Sequence, residues 1–291
     1  MTAPGPGSAS RHGRRLVPVA AGIATAVLLG FVLLPVVAIF LRVPPGTLVR
    51  QLHSSVALDA LRVSFKTSLI ALALILAIGT PAAYVLGTRR FRGDVILLTL
   101  LELPLVLPPA VAGIGLFAAF GRFGLLGGAL RAGGIQIPFT QTAVVMALAF
   151  VAMPFYVRQA VAAFGNVDPA LLAASRTLGA GPGRTFLRVG VPLARPGLSA
   201  GAGLAWARAL GEFGATIMFA GSLQGRTQTL PLAIYEEFSR GDIHTALAMA
   251  ALLVAVSGGI LLGVRLALRA AGGEEGSERT TRVSTSGSTV V

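Results

Sequence analysis

Six stretches of the chain are apolar almost without interruption: Leu16–Leu41, Phe65–Leu86, Val95–Phe120, Thr140–Phe164, Leu193–Ala220 and Ile243–Leu268. A helix crosses the hydrocarbon core of a bilayer with about 20 residues, and each stretch is at least that long. The pattern predicts an all-α polytopic membrane protein with six transmembrane helices over residues 16–270. The first stretch follows Arg11, Arg14 and Arg15, which is how a secretory signal begins. It is too long for a signal core, and no clear small-x-small cleavage site precedes Arg42, so it reads as an uncleaved first span. The ends differ in kind. Residues 1–10 are rich in Gly, Pro, Ser and Ala, and residues 271–291 in Gly, Ser, Thr and Glu. Such segments cannot bury enough apolar surface to fold alone, so residues 1–15 and 271–291 are expected to be disordered.

Composition agrees with the pattern. The 291 residues are 54% hydrophobic and 12% charged, with a mean hydropathy of +0.80; soluble domains carry about 25% charged residues. The net charge of +13 would suggest nucleic acid in a soluble protein. Here the basic residues flank spans and set orientation instead. Counting those inside a span towards the connection they adjoin, fifteen of them belong with the connections that include both ends and residues 165–192, and eight with the alternate connections. The excess places both termini and the 165–192 loop in the cytoplasm. There are no cysteines, which excludes disulfides, thiolate catalysis and Cys-bound metals. His12, His53 and His244 are far apart and lack metal-ligand spacing. Lys66 is the one lysine and follows Phe65, so no Gly-x-x-x-x-Gly-Lys-Ser/Thr phosphate loop can exist in this chain. Any nucleotide hydrolysis must come from a partner.

Three places could carry function. Asp168–Pro192 is a basic, Gly-punctuated island between two apolar segments, the sort of segment a membrane protein keeps when something docks on it. In the fifth span, Arg208 and Glu212 are four apart and share a helix face. Charges within a span are costly and face a partner or a watery path; the pair reads equally as pore-facing or as mutual neutralisation that fixes packing. In the third span, Pro104 and Pro108 fall on one face and break helical hydrogen bonds. Broken backbone survives in a membrane only where protein or water covers it, so a gate or cavity wall and a passive kink are both consistent. Glu102 is near the cytoplasmic part of that span and is given no substrate role. The outward loop Gly225–Tyr235 is rich in hydroxyl and amide groups without pointing to a specific use.

Ala173, Ala174, Ser175, Gly179, Val189 and Pro192 resemble the cytoplasmic loop of bacterial ABC-importer permeases. That family pattern is Glu-Ala-Ala, three residues, Gly, nine residues, then Ile-x-Leu-Pro. The spacing is kept here, with Ala173 for the Glu, Ser175 for the second Ala and Val191 for the Leu. Ala207–Thr216 resembles the fifth-span signature of molybdate and sulfate permeases; Leu103–Pro109, Phe120–Gly127 and Thr227–Tyr235 look more like the molybdate type. The resemblance runs from about Asp59 to Leu268. It implies a type I permease fold in the bacterial plasma (inner) membrane and no enzyme activity. It also implies a short helix in the 165–192 loop that couples to a partner ATPase subunit holding ATP and Mg. The other implied partners are an extracytoplasmic oxyanion-binding protein, a second copy of the chain and the lipid bilayer. Molybdate is the implied cargo, with sulfate or thiosulfate and tungstate as alternatives. A secondary transporter would show coupling-ion sites and often inverted repeats, and a membrane-embedded enzyme a nucleophile, acid–base pair or metal cluster. For the latter, Arg208–Glu212 is the only candidate.

Overall fold

The computed structural model describes the backbone of residues 13–89 and 91–286, and side chains over residues 21–263 apart from 52 and 90, with Leu266. Residues 1–12 and 287–291, within the expected disordered ends, lie outside the described residues. The helices are α1 (Gly13–Arg42), α2 (Pro45–Leu52), α3 (Ser55–Thr88), α4 (Asp94–Val106), α5 (Pro109–Phe120), α6 (Gly127–Ala132), α7 (Gln141–Gly165), α8 (Pro169–Thr177), α9 (Pro182–Thr185), α10 (Val191–Leu210), α11 (Gly214–Ala220), α12 (Leu230–Ser239) and α13 (Ile243–Ser286). The all-α expectation holds. The backbone of α13 runs on to Ser286.

Six continuous spans are not what forms. Ala21–Arg42, Ser55–Thr88, Gln141–Gly165 and Ile243–Gly263 are each long and apolar enough to cross a bilayer. The third stretch, expected as one kinked helix over Val95–Phe120, is a pair, α4 and α5, bent by 112°. Pro108 has no N–H to donate, and residues before a proline leave the helical region; Leu107 and Pro108 take ψ of 129° and 135°. The fifth stretch, expected over Leu193–Ala220, also splits, into α10 and α11 around Gly211–Phe213.

The core is a three-helix layer of α3, α7 and α10 closed by small residues. Close approach between membrane helices needs them, because lipid tails are as apolar as leucine and packing rather than hydrophobicity must hold helices together. A Cβ on Gly87 would meet the Val161 carbonyl oxygen at 2.6 Å, and one on Gly197 the Ala163 Cβ at 2.5 Å. Tyr156 and Phe164 of α7 fill the space between and are 1% and 0% exposed. The Tyr156 hydroxyl pairs with Thr80 Oγ1 at 2.7 Å, so its buried polar end is satisfied. Trp206 of α10 donates to Ser68 Oγ of α3 at 3.0 Å and meets Phe65 edge-on. By contrast α1 packs on α13 and buries none of its apolar window, as expected of a helix facing lipid.

Gly197→Ala should therefore cost about 1–3 kcal/mol of stability through overpacking, seen as a lower midpoint of thermal unfolding in detergent followed by helical circular dichroism. Ala163→Gly in the same chain should restore most of it; no rescue would mean that this contact does not limit the layer. A second expectation concerns Asp242, whose Oδ1 accepts the Thr245 N–H at 3.0 Å at the start of α13. That hydrogen bond holds its carboxyl below the usual carboxylate range. Its stabilising effect is full above the unfolded value and is lost as pH falls through the lower folded one. Wild type and Asp242→Ala should thus differ in melting at pH 6 and converge in acid.

Candidate functional site

The segment after α7 is a short capped helix held away from the bundle. Asp168 Oδ1 accepts the Ala170 N–H at 2.8 Å and Pro169 occupies the first helical position, a standard start signal. The end is equally defined. Gly179 has φ of +84°, with its N–H on Arg176 O at 2.9 Å and the Ala180 N–H on Ser175 O at 3.1 Å; a left-handed glycine here lets the chain turn back. Leu172 is buried and anchors α8, while Ala173, Ala174 and Leu178 are exposed. Ser175 pairs with the buried Thr185 at 3.2 Å, tying α8 to α9. Thr185 leads into a π-turn, Phe186–Gly190, that carries Val189 and feeds α10 just before Pro192. Ala174, Ser175, Val189 and Pro192 line one open groove of about 620 Å³ together with Leu171, Leu178, Arg184 and Arg188. Ala173 and Gly179 shape the helix beside it without lining it. The groove is apolar with a basic edge.

The two broken spans meet at their breaks. A Cβ on Gly214, the first residue of α11, would lie 2.8 Å from the Pro109 Cβ and 3.0 Å from the Ala110 N at the start of α5. One turn on, a Cβ on Gly113 would lie 2.6 Å from the Ala215 carbonyl oxygen. The proline segment and the charged segment thus come together, though not as the sequence predicts. Pro104 stays in α4, where it lines an apolar groove with Met146, Phe150 and Met153. Pro108 caps α5 beyond the bend, so the two prolines do not share one helix face. Arg208 and Glu212 do pair, Nη2 to Oε2 at 2.6 Å. However, Glu212 lies past the end of α10, inside the break, and not on a continuous helix. Its other oxygen accepts the Ala215 N–H at 2.8 Å. The carboxylate, 1% exposed, therefore holds both the guanidinium and an orphan backbone donor of α11. Arg208 is 26% exposed.

Two features escape the sequence reading. Glu102 of α4 faces Arg158 of α7, Oε1 to Nε at 3.8 Å; no local spacing links residues so far apart. The Gly225–Tyr235 segment is structural: Thr227, Gln228 and Thr229 are buried, the Leu230 N–H donates to Ser64 Oγ at 2.8 Å, and Gln228 donates to Glu236 at 2.8 Å. Among the described residues no group of three or more His, Asp or Glu side chains could hold a metal ion.

Residues 79–269 match the family described as the binding-protein-dependent transport system inner membrane component. The chain belongs to this family. As a member, it is 44% identical over 250 residues to the molybdenum transport system permease protein ModB of Mycobacterium tuberculosis, covering 85% of this chain and 91% of that one. It is 42% identical over 178 residues to the ModB of Escherichia coli K12, 61% and 78% of the two chains. It is 35% identical to the chloroplastic sulfate permease 2 of Chlamydomonas reinhardtii, over 82% and 66%. In fold, it matches a chain of a bacterial alginate ABC transporter solved with an alginate-loaded periplasmic protein, at 15% identity and a TM-score of 0.68, covering 87% and 93%. It also matches a chain of the inward-facing MetNI methionine ABC transporter at 20% identity and a TM-score of 0.54, covering 74% and 94%. The expected type I importer-permease fold is thereby established.

The double role of Glu212 sets an expectation. Removing it leaves a guanidinium and a backbone donor without partners, a loss of about 3–5 kcal/mol for a broken buried pair. Glu212→Ala should therefore reduce folded yield more than Arg208→Ala. The double substitution should cost less than the sum; strictly additive losses in a double-mutant cycle would show that the two do not act as a pair.

Proposed function

We propose that this chain is the membrane-spanning permease of an ATP-driven importer for a tetrahedral oxyanion, with molybdate as the cargo. The observation that carries the reading is the capped α8 with its groove: a rigid helix displayed outside the bundle, at the spacing of the importer coupling loop. The ModB relatives, alike over most of their length, support the cargo. The sulfate permease relative favours sulfate as the second reading.

In this reading α8 fits a groove on a separate ATPase subunit, which holds ATP and Mg and does the hydrolysis. Ala173 stands where the family has Glu, so no carboxylate at that position takes part; shape, through Leu171, Leu178 and the Gly179 turn, carries the contact. A second copy of the chain completes the pathway, and an extracytoplasmic binding protein selects the anion and delivers it to the opposite face. The charge distribution puts both termini and α8 on the cytoplasmic side of the bacterial plasma membrane. ATP binding closes the ATPase pair and moves α8. Because α8 is tied through Thr185 to the π-turn and α10, that motion reaches the breaks at Gly211–Phe213 and Leu107–Pro108, where Arg208, Glu212, Pro104 and Pro108 border the path. A nucleotide can bias the two states only because their contacts differ.

Gly179→Val forces a β-branched residue into the left-handed region, at a cost of about 1–3 kcal/mol of local strain. In proteoliposomes holding permease, ATPase and binding protein, this variant should lose most labelled-molybdate uptake while the ATPase still turns over, or should fail to retain the ATPase. Normal uptake with normal subunit recovery would refute the coupling role. Sulfate taken up in preference to molybdate by the wild-type complex would move the cargo to the second reading.

A further inference from the structure

Among charged groups at depth in the bundle, Glu102 and Arg158 are the pair that no packing explains. Glu102 is eight residues into α4, and Arg158 is seven residues before the end of α7. At about 1.5 Å per residue, Glu102 lies roughly 12 Å from the start of α4 and Arg158 roughly 10 Å from the end of α7, which leads into α8. Yet their side chains are 43% and 72% exposed. They touch at a single 3.8 Å approach, well beyond a charge-assisted hydrogen bond. The helix that carries Glu102 buries none of its residues. Charges so open and so loosely held are costly against hydrocarbon, so water must reach them. Arg208–Glu212 is the opposite case: 2.6 Å, with its carboxylate enclosed and fully used. That pair is locked, whereas Glu102–Arg158 can exchange.

We propose that Arg158 is an anion-binding residue on the inner part of the translocation path, where a divalent tetrahedral oxyanion takes the place of Glu102 and is then released. This rests on the oxyanion-importer reading above. A planar guanidinium matches two oxygens of such an anion. The competing carboxylate keeps the hold weak, as conduction requires, since a site must release what it binds.

The absence of cysteine from the chain makes the test direct. Ala162 is exposed one turn from Arg158 on α7, and Ala162→Cys is the reporter in the full complex in proteoliposomes. Phe31→Cys, 78% exposed on α1, serves as the lipid-facing control. The probe is the anionic reagent sulfonatoethyl methanethiosulfonate, applied on the α8 side with and without millimolar molybdate or sulfate. The reporter should react at least tenfold faster than the control, and oxyanion should slow it several-fold. Arg158→Gln in the reporter chain should abolish that protection, and Arg158→Lys should restore part of it. Glu102→Gln should lower the oxyanion concentration that gives half-protection. A reporter as inert as the control, a disulfide between the two copies that blocks labelling, or protection indifferent to residue 158 would each overturn the assignment. Uptake by the wild-type complex is measured in the same vesicles. If it carries no oxyanion the importer reading itself fails, whereas normal uptake with an unprotected reporter refutes Arg158 alone.

Discussion

Backbone polar groups have no water to turn to inside a bilayer, and this chain breaks two of its apolar stretches there. The breaks are tolerable because each covers the other. Pro109 and Ala110 at the start of α5 lie against Gly214 at the start of α11, and Gly113 lies against the Ala215 carbonyl. The Glu212 carboxylate then takes the Ala215 N–H and the Arg208 guanidinium together. Irregular backbone at membrane depth survives only where protein or water covers it. Remove the glycines and the two short helices cannot approach; remove the carboxylate and a helix start is left with an unsatisfied donor.

The rest of the bundle is arranged to hold that junction. The α3, α7 and α10 layer is closed by glycines against Val161, Ala163 and Gln159. Continuity from α8 through Thr185, the π-turn and α10 leads to Gly211, where α10 ends. In the coupling proposed above, a displacement at the α8 end would run along α10 to the place where that helix is interrupted.

Apolar runs are the most legible feature of such a sequence, because the bilayer demands length and little else; α1 and α7 follow them closely, whereas α3 begins at Ser55, well before its run, and α13 continues past its run to Ser286. Pro108 announces a break, and the structure turns there by 112°, but a proline does not say how far. The second break is harder to read, since Gly211-Glu-Phe-Gly214 looks like an uninterrupted helix with a charge pair on one face. The pairing of Arg208 with Glu212 was legible from spacing; the backbone hydrogen bond that makes Glu212 a cap was not, because it exists only once the helix has ended. Ala174, Ser175, Val189 and Pro192 are grouped by their resemblance to the importer-permease loop, and the fold brings them to one groove. Glu102 and Arg158 could not be paired from the sequence, as only the fold brings α4 against α7.

Trp206 is the only tryptophan in the chain. Its indole nitrogen is bonded to Ser68 and its ring is edge-on to Phe65, so it sits on the seam between α3 and α10. Indole emission responds to loss of a hydrogen bond and to a change in nearby polarity. The molecule therefore carries an intrinsic optical gauge of the seam between α3 and α10.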